Sequence, residues 1–428
     1  MRTTESLKEA RTFFEQTIAA DSEYAPGYAG LAATLLLLAD GEGNYGALDA
    51  GVAAELARSN VDKALARDPR LAEAHAVAGR IAAMKGDDAA ALADYDRAIE
   101  INPSYADAWL WKSNLLKAER DYEASSAALD VAFQLDPLSP VVLYNKGFHQ
   151  ALQRNFADAR KYYAAILDLE ENSPLGLRGL ADVARRAGDV AESARIWKRA
   201  IDASPASAQY KDNLVGALLT LEMPDAASLY ASEDYDANLK FAGGDFDGGL
   251  NMLRLHYAAA PDDPWMAFEA GWYELLYGDR ERGYDALLKA DAGVSEDDAY
   301  AMPYCSPAIE AAFAMRARGD ATGAEKRVSE CEGRLSAESE AGVRSTELDY
   351  LGARLAAMKG DADGAASLIE SAYAEGWREP WTARDPLIEN VKDNPRVAAV
   401  LNNIAADLER QRSALAQEAA AWKKPSAN

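Results

Sequence analysis

Prolines at Pro69, Pro103 and Pro137 stand 34 residues apart, and Pro205 falls two such intervals further on, with Glu171 in the slot between. That interval governs the stretch from Leu71 to Ser204. Turn signals keep it at Lys85-Gly86-Asp87, Glu119-Arg120-Asp121, Arg154-Asn155-Phe156 and Ala187-Gly188-Asp189. Small residues recur at Gly79, Ser113, Gly147 and Ala181, and a second small series runs Ala57, Ala91, Ser125, Ala159, Ser193. Bulky residues follow at Val61, Tyr95, Leu129, Tyr163 and Trp197, and Ala64, Ala98, Ala132, Ile166 and Ala200 close the pattern. A period of this length marks a helix-turn-helix repeat. Each unit is one antiparallel hairpin that cannot bury its apolar face alone and is stabilised by stacking.

The slots have separate tasks. Small residues let the first helix of a hairpin (A) and the second (B) approach closely. The bulky residue fills the space between one hairpin and the next. Proline ends helix B, because it has no N–H and disfavours helix in the residue before it. Small, bulky and proline slots agreeing over consecutive units resemble the tetratricopeptide repeat family. The resemblance implies an all-α chain, a superhelical solenoid of antiparallel helix hairpins whose inner face is lined mostly by A helices.

Taken in order, residues 6–20 form a helix with Leu7, Ala10, Phe14 and Ile18 on one face. Its slots are those of a B helix with no A helix before it. Docking on the Tyr24 helix alone, self-association through this N-terminal helix, or an upstream segment outside this sequence would cover that face, and the upstream segment is expected. Tyr24 to Ala39 is the next A helix, followed by an insertion of 13 residues at about 40–52 that opens with a glycine-rich loop. Regular hairpins continue to about 225. The beat then breaks, with a joint at 225–236, and turns at Gly278-Asp279, Gly319-Asp320 and Gly360-Asp361 mark longer, irregular hairpins, with a loop over Ala290 to Pro307. Two regions are therefore expected, a regular solenoid over 1–225 and irregular hairpins with a C-terminal cap over 226–428. The cap is read from Glu375-Gly376-Trp377-Arg378-Glu379-Pro380-Trp381, which folds over the last hairpin, and from a polar helix from Arg396 to about Ala420 that meets solvent. Together with Arg2-Thr3-Thr4-Glu5-Ser6-Leu7, the Tyr24–Ala32 segment and the lengthened first hairpin, this ending resembles the C-terminal repeat region of bacterial adenylate cyclase-like proteins and winged-helix regulators. There an N-terminal effector domain precedes the repeats; no such domain lies in this sequence.

The net charge of −25 and a pI near 4.6 argue against duplex DNA, RNA or an anionic membrane as main partner. The longest apolar run, Leu31 to Ala39, is too short for the roughly 20 residues of a membrane span. Two cysteines, Cys305 and Cys331, make no disulfide framework, so a reducing, cytoplasmic setting is expected; the pair could meet only on neighbouring helices. His75, His149 and His256 have no metal-binding spacing, and His75 occupies a packing slot. No phosphate-binding glycine loop is present beyond the weak Gly243-Gly244 and Gly248-Gly249 pairs. Neither enzyme activity nor a cofactor or metal is expected.

What remains is a surface. The register points Arg80, Trp111, Asn114, Tyr144, Asn145, Phe148, Arg178, Asp182 and Arg185 inward from successive A helices. Aromatic and Arg side chains are the residues that most often anchor interfaces, so this strip is the candidate site for a protein or peptide; the competing reading is that Trp111, Tyr144 and Phe148 only pack hairpin on hairpin. A carboxylate clamp of the family kind is matched at Asn114 and Asn145, but Leu110, Leu175 and Gly179 stand at its basic positions. The resemblance implies a scaffold or sensory module of a bacterial signalling protein. Two alternatives are a small-molecule sensor, with a pocket near 225–245 or under Trp377 and Trp381, and a fragment of a larger cyclase-like enzyme.

Overall fold

A computed structural model of the chain describes residues 4–39, 48–294 and 305–423. The fold is an all-α repeat solenoid of antiparallel hairpins, with no strand among the described residues. The helices are α1 (Thr4–Ala20), α2 (Ala25–Leu38), α3 (Ala50–Arg67), α4 (Ala72–Met84), α5 (Asp88–Ile101), α6 (Ala106–Ala118), α7 (Tyr122–Leu135), α8 (Pro140–Leu152), α9 (Phe156–Leu169), α10 (Pro174–Arg186), α11 (Val190–Ala203) and α12 (Ala208–Thr220). They continue with α13 (Pro224–Ala227), α14 (Asp236–Ala242), α15 (Phe246–Ala259), α16 (Pro264–Tyr277), α17 (Arg280–Gly293), α18 (Ala308–Ala317), α19 (Ala321–Glu340), α20 (Thr346–Met358), α21 (Ala362–Ala374) and α22 (Pro395–Ala419). The chain divides into two compact units, residues 1–146 and 147–428, and the division falls within α8. The break of rhythm at 225–236 contains the single turn α13 and a 3-10 turn at Glu233–Tyr235, inside the second unit. We propose it as a boundary of repeat regularity rather than of compactness.

The slots pack as their sizes require. In the first unit a Cβ placed on Gly79 would lie 2.7 Å from the Tyr95 ring, and the Ser125 hydroxyl donates to the Ser113 carbonyl at 2.7 Å where two other helices meet. In the second unit the Tyr163 ring lies against two glycines: a Cβ would come within 2.6 Å of it at Gly147 and 2.3 Å at Gly179. The bulky side chain thus seats on its own hairpin and on the next. Val61, Tyr95, Leu129, Tyr163 and Trp197 are all buried, as are the alanines and isoleucine that close the slots.

The turn signals also have a physical basis. Gly86, Arg120, Gly188, Gly244, Gly319 and Gly360 all adopt positive φ, and the aspartate after each caps the following helix by accepting the N–H three residues on. A left-handed residue ends one helix and an aspartate side chain starts the next. At Arg120 the same turn is made at a conformational cost of about 1–2 kcal/mol.

α1 packs on α2, with Leu7 buried and the Phe14 ring 2.4 Å from where a Gly30 Cβ would sit, while Phe13 is exposed. Several other expectations are revised. Part of the expected insertion, 40–47, lies outside the described residues, and α3 already begins at Ala50. The expected loop over 290–307 is helical to Gly293, and 295–304 lies outside the described residues. The cysteines are paired: Cys305 and Cys331 form a disulfide with their Cα atoms 5.8 Å apart, because α18 and α19 are a tight hairpin. Since disulfides persist mainly in oxidising surroundings, the cysteine count no longer argues for a reducing compartment.

The terminal cap is the largest revision. α22 does not simply meet solvent. It buries Val397, Val400, Ile404, Leu408, Leu415 and Ala419 in one core with Leu177, Trp197 and Leu214 from α10–α12. Gln411 clasps the α10–α11 turn, donating to the Gly188 carbonyl at 2.8 Å and accepting from the Ala191 N–H at 3.0 Å. Arg195 pairs with Glu418 at 2.8 Å and Arg412 with Glu222 at 2.9 Å. Gly376, with φ of 114°, lies so close to α10 that a Cβ would be 2.2 Å from the Arg186 carbonyl. The second unit is therefore closed by its own end.

Packing this tight has measurable consequences. Gly147→Leu is expected to destabilise the chain by about 1–3 kcal/mol through overpacking. Trp197→Ala, which empties part of the core under α22, is expected to cost about 3–5 kcal/mol. Denaturant titrations monitored by circular dichroism measure both, and parent-like midpoints would show the repeat register to be wrong.

Candidate binding surface

The nine inward residues divide between the two units and behave differently in each. In the first unit, Arg80 on α4 and Asn114 on α6 share one slot, and Trp111 on α6 and Asn145 on α8 share another, 34 residues apart in both cases. The Arg80 guanidinium lies 5.5 Å over the Trp111 ring, a cation–π arrangement. Trp111 is half-buried, 6.5 Å from the Tyr95 ring, and also packs against the buried clusters that contain Val77 and Ile81, Leu110, and Leu115. It is at once a packing residue and a platform. Burial pushes the Tyr95 phenol up to about 12, opposed by Arg80.

The two amides of the strip are in different states. Asn145 is buried and committed: its Nδ2 donates to the Val141 carbonyl at 2.9 Å, and its Oδ1 accepts from Lys117 Nζ at 3.4 Å. The Asn114 side chain is half-buried and makes no hydrogen bond among the described residues. Its amide carries two donors and an acceptor, and these remain open to solvent or to a partner. Tyr144 is half-buried on α8, in the slot that Leu110 holds on α6. Lys112 and Lys146 are engaged by Asp96 and Asp130 of neighbouring B helices.

In the second unit, Phe148 on α8 is half-buried and the other three inward residues lie on α10. Burial pushes the Asp182 carboxyl up, and Arg178, Arg185 and Arg186 pull it back. Glu347 at the start of α20 faces Arg185 and Arg186. Burial raises its carboxyl, but its own backbone N–H, the two arginines and the Ser345 hydroxyl outweigh this and hold it below the ordinary range. Burial, then the charge of Glu347, push Glu379 up against the pull of Arg185. The cations of α10 thus face acids of the chain's own C-terminal third. Sequence reasoning missed Glu347 and Glu379 because nothing local links them to α10; only the closure by the cap brings them together.

The Trp377 and Trp381 pair is not an open ligand cage. The Arg354 guanidinium fills it, 5.4 Å from the Trp381 ring, 4.9 Å from Trp272 and 5.6 Å from Tyr350, while Trp377 stacks on Tyr350 at 4.5 Å. Arg354 donates to Glu310 Oε1 and to Asp385 Oδ2, both at 2.7 Å. Tyr350 donates to the same Asp385 oxygen at 2.8 Å, and the Ser306 hydroxyl to Glu310 at 3.0 Å. All five are buried. Near the rhythm break, Phe241 stacks on Tyr273 at 4.3 Å, and Asn238 donates to the Tyr273 hydroxyl at 2.8 Å, so these groups satisfy one another. No group of three His, Cys, Asp or Glu among the described residues is placed to hold a metal. His75 Nε2 meets the Pro69 carbonyl at 3.0 Å. No described helix is long and apolar enough to cross a membrane.

No protein-family profile and no curated protein matches the chain. Solved structures that resemble it include a tetratricopeptide repeat protein from Parabacteroides merdae, 16% identical, covering 62% of this chain and 94% of that one with a TM-score of 0.38. A structure of PilF from Pseudomonas aeruginosa is 22% identical over 49% of this chain and 89% of its own, TM-score 0.39. A thermophilic tetratricopeptide repeat protein of Thermus thermophilus is 21% identical over 44% and 99%, TM-score 0.37. The repeat character of this chain rests on its own 34-residue hairpins.

The buried network gives one sharp expectation. Arg354→Met leaves Glu310 and Asp385 buried without their cation, and breaking such a network from one side costs about 3–5 kcal/mol. Urea unfolding followed by tryptophan emission measures it; a loss below about 1 kcal/mol would mean that the carboxyls are not ionised partners of Arg354.

Proposed function

We propose that this tetratricopeptide-type chain is a binding module for a protein or peptide, and that the A-helix strip of the first unit, Arg80, Trp111, Asn114, Tyr144 and Asn145, is its contact surface. One observation supports this above the rest: Asn114 presents an accessible amide with no hydrogen bond to the protein, three residues along α6 from an aromatic platform that already carries a guanidinium. An extended peptide supplies what such an amide lacks, since its backbone offers a donor and an acceptor at every residue. The ring and the guanidinium add the anchors on which interfaces depend. Phe148, Arg178, Asp182 and Arg185 extend the proposal to the second unit, where Glu347 and Glu379 already meet the cations of α10. The acidic balance of the chain disfavours nucleic acid as the partner. A role as scaffold or sensor in bacterial signalling, rather than as an enzyme, is proposed with it from the sequence resemblance.

Selection of peptides from a displayed random library against the full chain, followed by calorimetry on the best binder, tests the reading. Asn114→Ala is expected to weaken binding about tenfold, or ~1.4 kcal/mol, with an unchanged melting temperature. Trp111→Phe, which keeps the packing but reduces the platform, is expected to weaken it further. Arg178→Ala reports whether the second unit takes part. No enriched peptide, or full affinity in both first-unit variants, overturns the proposal.

A further inference from the structure

We propose that the Cys305–Cys331 disulfide is a redox latch on the terminal cap of the second unit, the paired 3-10 turns Pro380–Arg384 and Pro386–Val391. This does not depend on the binding reading above. The disulfide touches the cap by two routes. The apolar route is direct: both half-cystines are buried in one cluster with Leu351, Leu355, Met358 and the cap residue Leu387. The polar route begins one residue from the disulfide. Ser306 donates to Glu310, Glu310 accepts from Arg354, Arg354 donates to Asp385, and Asp385 accepts from the Leu387 N–H at 2.9 Å. Both routes end on Leu387.

Cys305 lies at the entry to α18 and Cys331 within α19, so the bond ties that entry, with Ser306, to the body of the second helix. Glu310 Oε2 is buried without a partner, so its carboxylate is held by Oε1 alone, and a slack Ser306 removes one of its two ligands. The coupling runs both ways. Both half-cystines are buried in the cluster that Leu387 joins, so lifting the cap opens one side of that cluster to a reductant. Once they are reduced, the cap loses the tether beneath it. Such reciprocity is required of any two coupled equilibria. The chemistry is thiol–disulfide exchange with a dithiol. Its first thiolate attacks one sulfur to form a mixed disulfide and releases the other cysteine as thiolate. Its second thiol then displaces the first cysteine. Two electrons and two protons pass to the cysteines, and the dithiol becomes a disulfide.

Hydrogen exchange on the full chain, oxidised and after dithiothreitol, tests this. Alkylation in denaturant counts free thiols in each sample. The oxidised chain is expected to alkylate at neither cysteine. Reduction is expected to speed exchange over 385–391 by about tenfold or more, while 88–101 in the first unit stays unchanged. It is also expected to shift the emission of the Trp272, Trp377 and Trp381 group. Cys305→Ala with Cys331→Ala is expected to give the reduced pattern with or without dithiothreitol; if that variant does not fold, the reduced parent chain carries the test. Two free thiols after mild oxidation, unchanged cap exchange in the fully reduced chain, or a dithiothreitol effect that persists without the cysteines would each overturn the latch.

Discussion

A ring seated on a glycine is the contact from which the rest of the structure follows. Tyr163 lies against Gly147 of its own hairpin and Gly179 of the next, and Tyr95 lies against Gly79 in the same way. Two helices cannot come this close with side chains on both, so each bulky residue requires a small one opposite, and the requirement recurs every 34 residues. The spacing of the hairpins and the inward direction of each A helix are consequences of that steric rule. The surface proposed for binding is what remains of the A helices once the rule is met.

The regular part of the fold was legible for this reason. Its constraints are local, each satisfied within one hairpin or between neighbours. Gly86 and Asp87, or Gly360 and Asp361, encode a left-handed turn and a helix cap in two adjacent letters. The cap was legible as an aromatic and proline-rich segment but not in its destination. Gly376 reads as a loop residue; it is the point where the chain returns to within contact of Arg186. The disulfide was missed likewise, since two cysteines 26 residues apart acquire meaning only when two helices are known to be neighbours. Within the strip, the residue types were readable, but which amide is already spent was not. Asn114 and Asn145 look alike in sequence, and only Lys117 and the Val141 carbonyl distinguish them.

Charge is handled in two ways. On the surface, acids exceed bases and most ion pairs are partly solvated, where each contributes little. Around Arg354 the solution is opposite: a single guanidinium, enclosed by three rings and two carboxylates, sits where the apolar core would otherwise close. Such a network is rarely a net gain over apolar packing, but it penalises any arrangement that separates its members. It holds α18, α20 and the cap to one geometry.

The return of α22 onto α11 also sets an order of assembly. Gln411 meets Gly188 across 223 residues, and Leu415 and Ala419 complete a core that contains Trp197 and Leu214. Hairpins of the first unit depend on neighbours close in sequence, and such contacts form quickly, as each segment emerges during synthesis. Trp197 and Val190 emerge early too, yet the α22 residues that cover them are synthesised only after the whole intervening chain. During elongation these side chains wait with an apolar face open to water, and that waiting interval, rather than the finished fold, is when the chain is most exposed to chaperones, proteases and its own unfinished copies.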